Sequence, residues 1–271
     1  MPKTIDYVSA AAEGSARRTS AVTHGTIDES DVARFSRLSD QWWNPRGPWA
    51  TLHRFSEVRL DYICDRTAEH FGLDPKQLSA PRPLRILDIG CGGGILAEPL
   101  ARLGAAMVGI DPSADNIAVA KAHAAQSGLS IDYRCTTVEE LVQAGEVFDV
   151  VLAMEVVEHV ADVGLFLELA AALVKPGGLL FVGTLNRTIR SFAFAIVGAE
   201  YVLRWIPRGT HQWHKFVRPD ELELVLKGNG LRVRDKTGVI YNPFANRFRP
   251  ARDISASYMV FAEKGLRGAG L

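Results

Sequence analysis

A doubly wound α/β fold with a mostly parallel sheet is what this sequence predicts, and two observations carry the prediction. From Arg85 to Leu185, short apolar runs alternate with longer segments of helical periodicity. Parallel strands need a covering helix between them, so this alternation is the mark of strand–helix–strand units. The second observation is the stretch Arg85 to Leu96, RILDIGCGGGIL, where Gly90, Gly92, Gly93 and Gly94 crowd directly behind the first apolar run. In a doubly wound sheet such a bend lies at the carboxyl end of a strand, where ligands bind.

The elements follow in order. Residues 1–28 are rich in Ala, Ser, Thr and Gly with little apolar periodicity, which predicts a disordered tail. Arg17 and Arg18 would suit an organelle presequence, but Asp6 and Glu13 would not, and the apolar core of a secretory signal is lacking. A single domain is expected over 29–271, its first part, 29–83, being a helical extension. There Ser30 or Asp31 can cap a helix carrying Val32, Phe35, Leu38 and Trp42 at spacings of three and four. The run Asn44 to Pro48 breaks it. A second helix, Leu52 to Phe71, presents Phe55, Val58, Tyr62 and Ile63, and a Pro-rich linker leads out of it.

Strands are then expected at Arg85 to Ile89, Ala106 to Asp111, Ile131 to Cys135, Phe148 to Met154 and Gly178 to Leu185. Helices are expected between them at Ile95 to Leu103, Ser113 to Ser127 (with Ser113 as cap), Val138 to Ala144 and Asp162 to Val174, the last closed by Pro176, Gly177 and Gly178. After an irregular insert, 187–218, come a helix at Pro219 to Gly228, a strand at Leu231 to Thr237 and a last strand at Ala256 to Lys264.

Composition excludes several function classes. Lys plus Arg equals Asp plus Glu at 31 each, so the whole-chain charge gives no sign of nucleic acid binding. The three cysteines, Cys64, Cys91 and Cys135, form neither a disulfide framework nor a metal pair, which suits a reducing cytoplasm. No uncharged apolar run reaches the roughly 18 residues needed to span a bilayer; membrane contact would be peripheral.

The glycine spacing narrows the ligand. The dinucleotide fingerprint G-x-G-x-x-G would need a glycine at position 95, which is Ile95, and the triphosphate loop would need a Lys that does not follow. What remains is Asp88-x-Gly-x-Gly-x-Gly. This resembles the first motif of the class I S-adenosylmethionine (SAM) methyltransferases, where a nucleoside and an amino-acid tail lie against bare backbone that Cβ atoms would obstruct. Asp111 ends the second strand, 17 positions after Gly94, where a carboxylate can accept both hydroxyls of a ribose. Cys91 reads as a small filler between glycines, since no His partner is evident beside it.

At the end of the fourth strand stand Met154, Glu155, Glu158 and His159. If the segment turns helically, Glu155, Glu158 and His159 share one face at i, i+3 and i+4. Two carboxylates and an imidazole without thiolates suit Mg²⁺, Mn²⁺ or Zn²⁺. They equally suit a metal-free cluster with His159 as proton acceptor, or a purely structural helix start. Met154 would pack a soft apolar side chain against the adenine or methionyl part of SAM.

The insert is basic, with six Lys or Arg and the single acid Glu200 between Arg187 and Arg218. Phe192, Ile196, Ala199, Val202, Leu203 and Ile206 recur at three and four, with Trp205 and Trp213 at hand. Such a segment can lie in a bilayer interface; a lid packed internally or a dimer contact are the other readings. His211 and His214 sit three apart without a third ligand and read as surface histidines.

The resemblance extends beyond the common core. RILDIGCGGGILAEPLARLGA, VGIDPS, AMEVVEHV, LVKPGG and GTLNRT lie at class I spacing. Outside them, DQWWNPRGPWATLHRFSEVRLDYI and VGAEYVLRWIPRGTHQWHKFVRPDEL are similar to the ubiquinone-biosynthesis O-methyltransferases. The similarity runs from about Asp31 to near the C-terminus, although Ser56, Glu57 and Val58 stand where that family commonly has Asn-Pro before its Arg. It implies a Rossmann-like class I methyltransferase fold with an antiparallel C-terminal strand. It implies O-methylation of polyprenylated catechol-type phenols at two steps of ubiquinone synthesis. It places SAM on Arg59, Gly90, Asp111 and Met154, to which the loop adds Gly92, and a divalent ion such as Mg²⁺ on Glu155, Glu158 and His159. The partners expected are a polyprenyl phenol or quinol, a lipid surface met by 187–218, and other enzymes of the same biosynthesis. The expected location is cytoplasmic and peripheral to the inner membrane. Methylation of another small molecule, C-methylation included, and a non-catalytic SAM- and lipid-binding scaffold are the competing readings.

Overall fold

The structure, a computed structural model, describes residues 25–79, 82–192, 213–242 and 245–266. The helices are α1 (Glu29–Ser36), α2 (Ala50–Phe71), α3 (Ala97–Arg102), α4 (Ala114–Gln126), α5 (Val138–Gln143), α6 (Val163–Ala172), the three-residue α7 (Ile189–Ser191) and α8 (Pro219–Gly228). The strands are β1 (Arg85–Ile89), β2 (Ala106–Asp111), β3 (Asp132–Cys135), β4 (Phe148–Met154), β5 (Val174–Leu185), β6 (Leu231–Asn242), β7 (Arg247–Ala251) and β8 (Ser257–Lys264). They form one eight-stranded sheet in the order β3-β2-β1-β4-β5-β8-β6-β7. The first five are parallel, and β8, β6 and β7 are antiparallel to their neighbours. The sheet thus closes in three antiparallel strands, of which β7 is additional to the two expected from the sequence.

Period-two alternation explains the layering. In β4, Val151 and Ala153 face a core shared with Leu141 of α5, Phe166 and Leu167 of α6 and Leu226 of α8. Val150, Leu152 and Met154 face the other side, where Ile63 of α2, Leu100 of α3 and Ile117 of α4 pack. Both faces are covered, as a parallel sheet requires. Four of the helix starts have a visible cause. Asp28 accepts from Ser30 N and Asp31 N, Ser113 from Asn116 N and Asp162 from Leu165 N, and Thr137 forms a capping box with Glu140.

Four expectations need correction. Helix α1 ends at Ser36, and Leu38 to Trp42 continue as a 3₁₀ turn over Ser39–Gln41 rather than as one helix. Its cap is Asp28, not Ser30 or Asp31, and Asp31 is buried. Pro176, Gly177 and Gly178 lie inside β5, with a register shift between Phe148 and Val150 opposite them. The packed chain begins before residue 29: Thr26 is buried, and its N–H donates to Glu139 Oε1 at 2.7 Å. Among the described residues no helix is long and apolar enough to cross a membrane. Most of the amphipathic pattern read in 187–218, including Ile196, Ala199, Val202, Leu203, Trp205, Ile206 and His211, lies outside the described residues, as does the side chain of His214.

Candidate active site

Strand order reverses between β1 and β4, which opens a crevice at their carboxyl ends. A cavity of about 310 Å³ occupies it, a size ordinary for a small-molecule site. Its floor holds Asp88, Gly90, Gly92, Asp111 and Met154, and its roof is made by the segment before α1, by α1 itself, by Trp42 and by α2. All eight residues expected from the sequence line this one space: Arg59, Gly90, Gly92, Asp111, Met154, Glu155, Glu158 and His159.

The glycine bend is shaped from both sides. Gly90, Gly92 and Gly94 have φ of 71°, 51° and 88°, a left-handed backbone that costs an L-residue roughly 1–2 kcal/mol. On the bend's outer side, a Cβ on Gly92 or Gly93 would lie 2.5 Å from the Trp42 side chain. A Cβ on Gly94 would lie 2.1 Å from the Tyr133 hydroxyl. Close packing by the protein's own aromatic residues therefore demands glycine here, in addition to any ligand.

Asp111 ties the bend to β2. Its Oδ2 accepts from Gly92 N at 3.1 Å, and its Oδ1 accepts from Ser113 N at 2.9 Å and Asn116 Nδ2 at 3.2 Å. Burial raises its pKa, against the pull of those three donors. Asn116 is held in turn by Trp42, whose Nε1 donates to Asn116 Oδ1 at 2.8 Å. Trp43 Nε1 donates to Gly93 O at 2.9 Å, and its ring stacks on His123, 3.6 Å between centroids. His123 Nδ1 lies 2.6 Å from Oε1 of the fully buried Glu98. These contacts join residues far apart in the chain, 74 positions for Trp42 and Asn116, and carry no local signal. Cys91 is buried, and burial with the nearby Asp111 and Asp88 pushes its thiol well up, which disfavours the thiolate.

Arg59 is the charged group of the opposite wall. It is 3% exposed, yet its Nε and Nη2 have no hydrogen-bond partner among the described residues. Its guanidinium carbon lies 4.0 Å from the centre of the Phe55 ring, and Nη2 stands 3.7 Å from Glu155 Oε1. Burial lowers its pKa, opposed by Glu155, Glu158 and Asp88. A buried cation with unused donors beside a cavity suits an anionic ligand group, and a carboxylate matches its planar fork. Together with the side-chain-free bend and Asp111, this fits the adenosyl and amino-acid parts of SAM.

The expected helical face of Glu155, Glu158 and His159 does not form. Glu155 is left-handed, φ 57°, and only Val157–His159 make a 3₁₀ turn. The three side chains turn to three partners. Glu155 faces Arg59, Glu158 Oε2 accepts from Thr184 Oγ1 at 2.8 Å, and His159 Nδ1 lies 3.0 Å from Asp31 Oδ2. Burial and the nearby Glu155 raise the pKa of Glu158. Among the described residues no group of three or more His, Cys, Asp or Glu is placed to hold a metal ion. The donors still suit one chemically: Glu155 Oε1 and Glu158 Oε1 are both buried without a hydrogen-bond partner.

Comparison with known proteins agrees with this architecture. A methyltransferase-domain family matches residues 33–236. The chain is 58% identical over 249 residues to the ubiquinone biosynthesis O-methyltransferase of Chelativorans sp. (strain BNC1), covering 92% of this chain and 96% of the relative. It is 57% identical over 240 residues to the protein of the same name from Mesorhizobium japonicum, 89% and 96% of the two chains. Among solved structures, magnesium protoporphyrin IX methyltransferase from Synechocystis PCC 6803 with bound SAH superposes with a TM-score of 0.60 at 16% identity, over 86% of this chain and 94% of that one. That likeness shows the class I methyltransferase fold.

Proposed function

The chain belongs to the ubiquinone biosynthesis O-methyltransferases, and from that membership we propose that its cavity joins the methyl of SAM to a phenol oxygen of a polyprenylated catechol. The observation that carries the assignment of residues is that one cavity holds the Asp111-anchored glycine bend, the donor-rich Arg59 and the His159 imidazole. Asp111 accepts ribose hydroxyls, Gly90 and Gly92 let the nucleoside lie on the backbone, Arg59 meets the cofactor carboxylate, and Met154 packs against it.

SAM supplies an already activated sulfonium methyl. The protein's work is to align it with the attacking oxygen and to remove a proton from a phenol whose pKa is about 10 in water. His159 takes that proton, while the walls of Phe35, Trp42, Leu52 and Phe55 exclude water. A divalent cation is a second reading, favoured by one oxygen each of Glu155 and Glu158 that is buried without a hydrogen bond. Held by those two residues and His159, it would lower the proton affinity of a phenol oxygen.

The membrane-facing part of the reading is supported by the edges of the insert. Ile189, Phe192 and Trp213 are 85%, 42% and 39% exposed, large apolar groups of the kind that enter a lipid interface. Equal sedimentation with liposomes by wild type and a Phe192, Ile196 and Trp205 to Ser variant would remove lipid contact.

Single-turnover assay with methyl-labelled SAM and a 3-demethylated polyprenyl quinol tests the core of the proposal. Label in an O-methyl product is expected. SAM binding without transfer would favour a scaffold, and label on ring carbon would favour C-methylation. His159→Ala is expected to retain SAH binding and lose turnover.

A further inference from the structure

Asp31 has no part in the functional reading above, yet it is a charged residue only 2% exposed, and it lines the same cavity as His159. Its Oδ2 stands 3.0 Å from His159 Nδ1. One turn further along α1, Phe35 packs edge-on against the same imidazole, 4.9 Å between centroids at 84°. Residues four apart on one helix thus meet the ring at a nitrogen and through a T-shaped ring contact. The carboxylate is surrounded by cations, Arg34 Nη2 at 2.7 Å and Lys215 Nζ at 3.6 Å.

We propose that Asp31 is a positioning residue for methyl transfer: it fixes the His159 ring in the cavity wall as the Nδ1–H tautomer. The reasoning is one of hydrogen-bond capacity. An ionised carboxylate only accepts, so the imidazole nitrogen facing it carries the hydrogen, and a neutral ring then has its lone pair on Nε2. Arg34 and Lys215 beside it favour the ionised carboxylate. An ion pair that merely pinned α1 down would need neither a particular tautomer nor the ring contact from Phe35. Asp31 touches no reacting atom in this account and acts through His159 alone.

The inference rests on the role given to His159, and its test separates the two. Two-bond ¹H–¹⁵N correlation spectra of ¹⁵N-histidine-labelled enzyme, assigned with His159→Asn, read the tautomer directly. Wild type is expected to show Nδ1 protonated and Nε2 bare. In Asp31→Asn that single pattern is expected to be lost and kcat to fall about 10- to 100-fold, the usual cost of losing the group that orients a functional histidine. KM for SAM should stay unchanged, and Asp31→Glu should recover part of kcat. If the asparagine variant does not fold, the wild-type spectrum and the glutamate variant still decide. A wild-type Nε2–H tautomer overturns the proposal, as does an Asp31→Asn enzyme with unchanged kcat beside an inactive His159→Ala. Near-normal turnover by His159→Ala would overturn the reading of His159 and this inference with it.

Discussion

Trp42 lies so close over Gly92 that a β-carbon on the glycine would sit 2.5 Å from its Cζ2. Gly92→Ala therefore faces both a left-handed φ of 51° and a steric clash, a combined cost of about 2 kcal/mol or more. In thermal unfolding Tm is expected to fall by roughly 5 °C. Trp42→Ala also destabilises, by loss of packing, but in the double variant the two losses should combine to at least ~1 kcal/mol less than their sum. Strict additivity would show that the indole is not what confines the bend.

Asp111→Asn keeps the side chain's shape and inverts half of its hydrogen bonding. Oδ1 and Oδ2 now accept from Gly92 N, Ser113 N and Asn116 Nδ2, and an amide NH₂ would face one of those donors. Calorimetric titration with SAH should show affinity reduced about 10- to 100-fold, the effect of losing a charge-assisted contact. Affinity within threefold of wild type would remove Asp111 from the cofactor site.

Asp88 gives a pH dependence of defined sign. Burial, together with Asp111 and against the opposing pull of Arg59, pushes its carboxyl from 3.8 up to about 7. The folded state therefore holds a proton that the unfolded chain releases near pH 4. Its stabilising effect is complete below that point and is lost as pH rises through 7. Asp88→Asn, which stays neutral, should gain stability relative to wild type on going from about pH 5 to pH 8.5, on the order of a few kcal/mol. Parallel melting-temperature curves for the two proteins would contradict this.

Chelation tests the cation reading of Glu155, Glu158 and His159. Exhaustive treatment with EDTA should lower kcat on the catechol at least tenfold, with Mg²⁺ or Mn²⁺ restoring it and SAH affinity unchanged. Undiminished turnover would remove the cation and leave proton uptake at His159 standing alone.

Much of this was legible in the sequence, and what was not has physical reasons. The bounds of β1, β2 and β4 coincide with their apolar runs because each is buried almost end to end. Strand β7 went unseen because Arg247–Ala251 holds two arginines and a proline. Those residues suit an edge strand, where Pro needs no ladder bond and charge discourages further pairing. The site residues were readable where chemistry is local, in the glycine bend and at Asp111. Asp31 was read as a cap, although it stands four residues before Phe35 in the apolar stripe of α1. An acid in a stripe of that kind was the available signal. The pairing of Trp42 with Asn116 and of Trp43 with Gly93 arises only when the extension folds onto the core.

Lys215 has a consequence for how the protein opens. Its ammonium is 2.6 Å from Asp28 and 3.6 Å from Asp31, so the chain entering α8 grips the start of α1. Releasing either one strands a partly buried charge on the other. The two segments should thus exchange their amide hydrogens as one cooperative unit, and a ligand that slows exchange in one should slow it equally in the other.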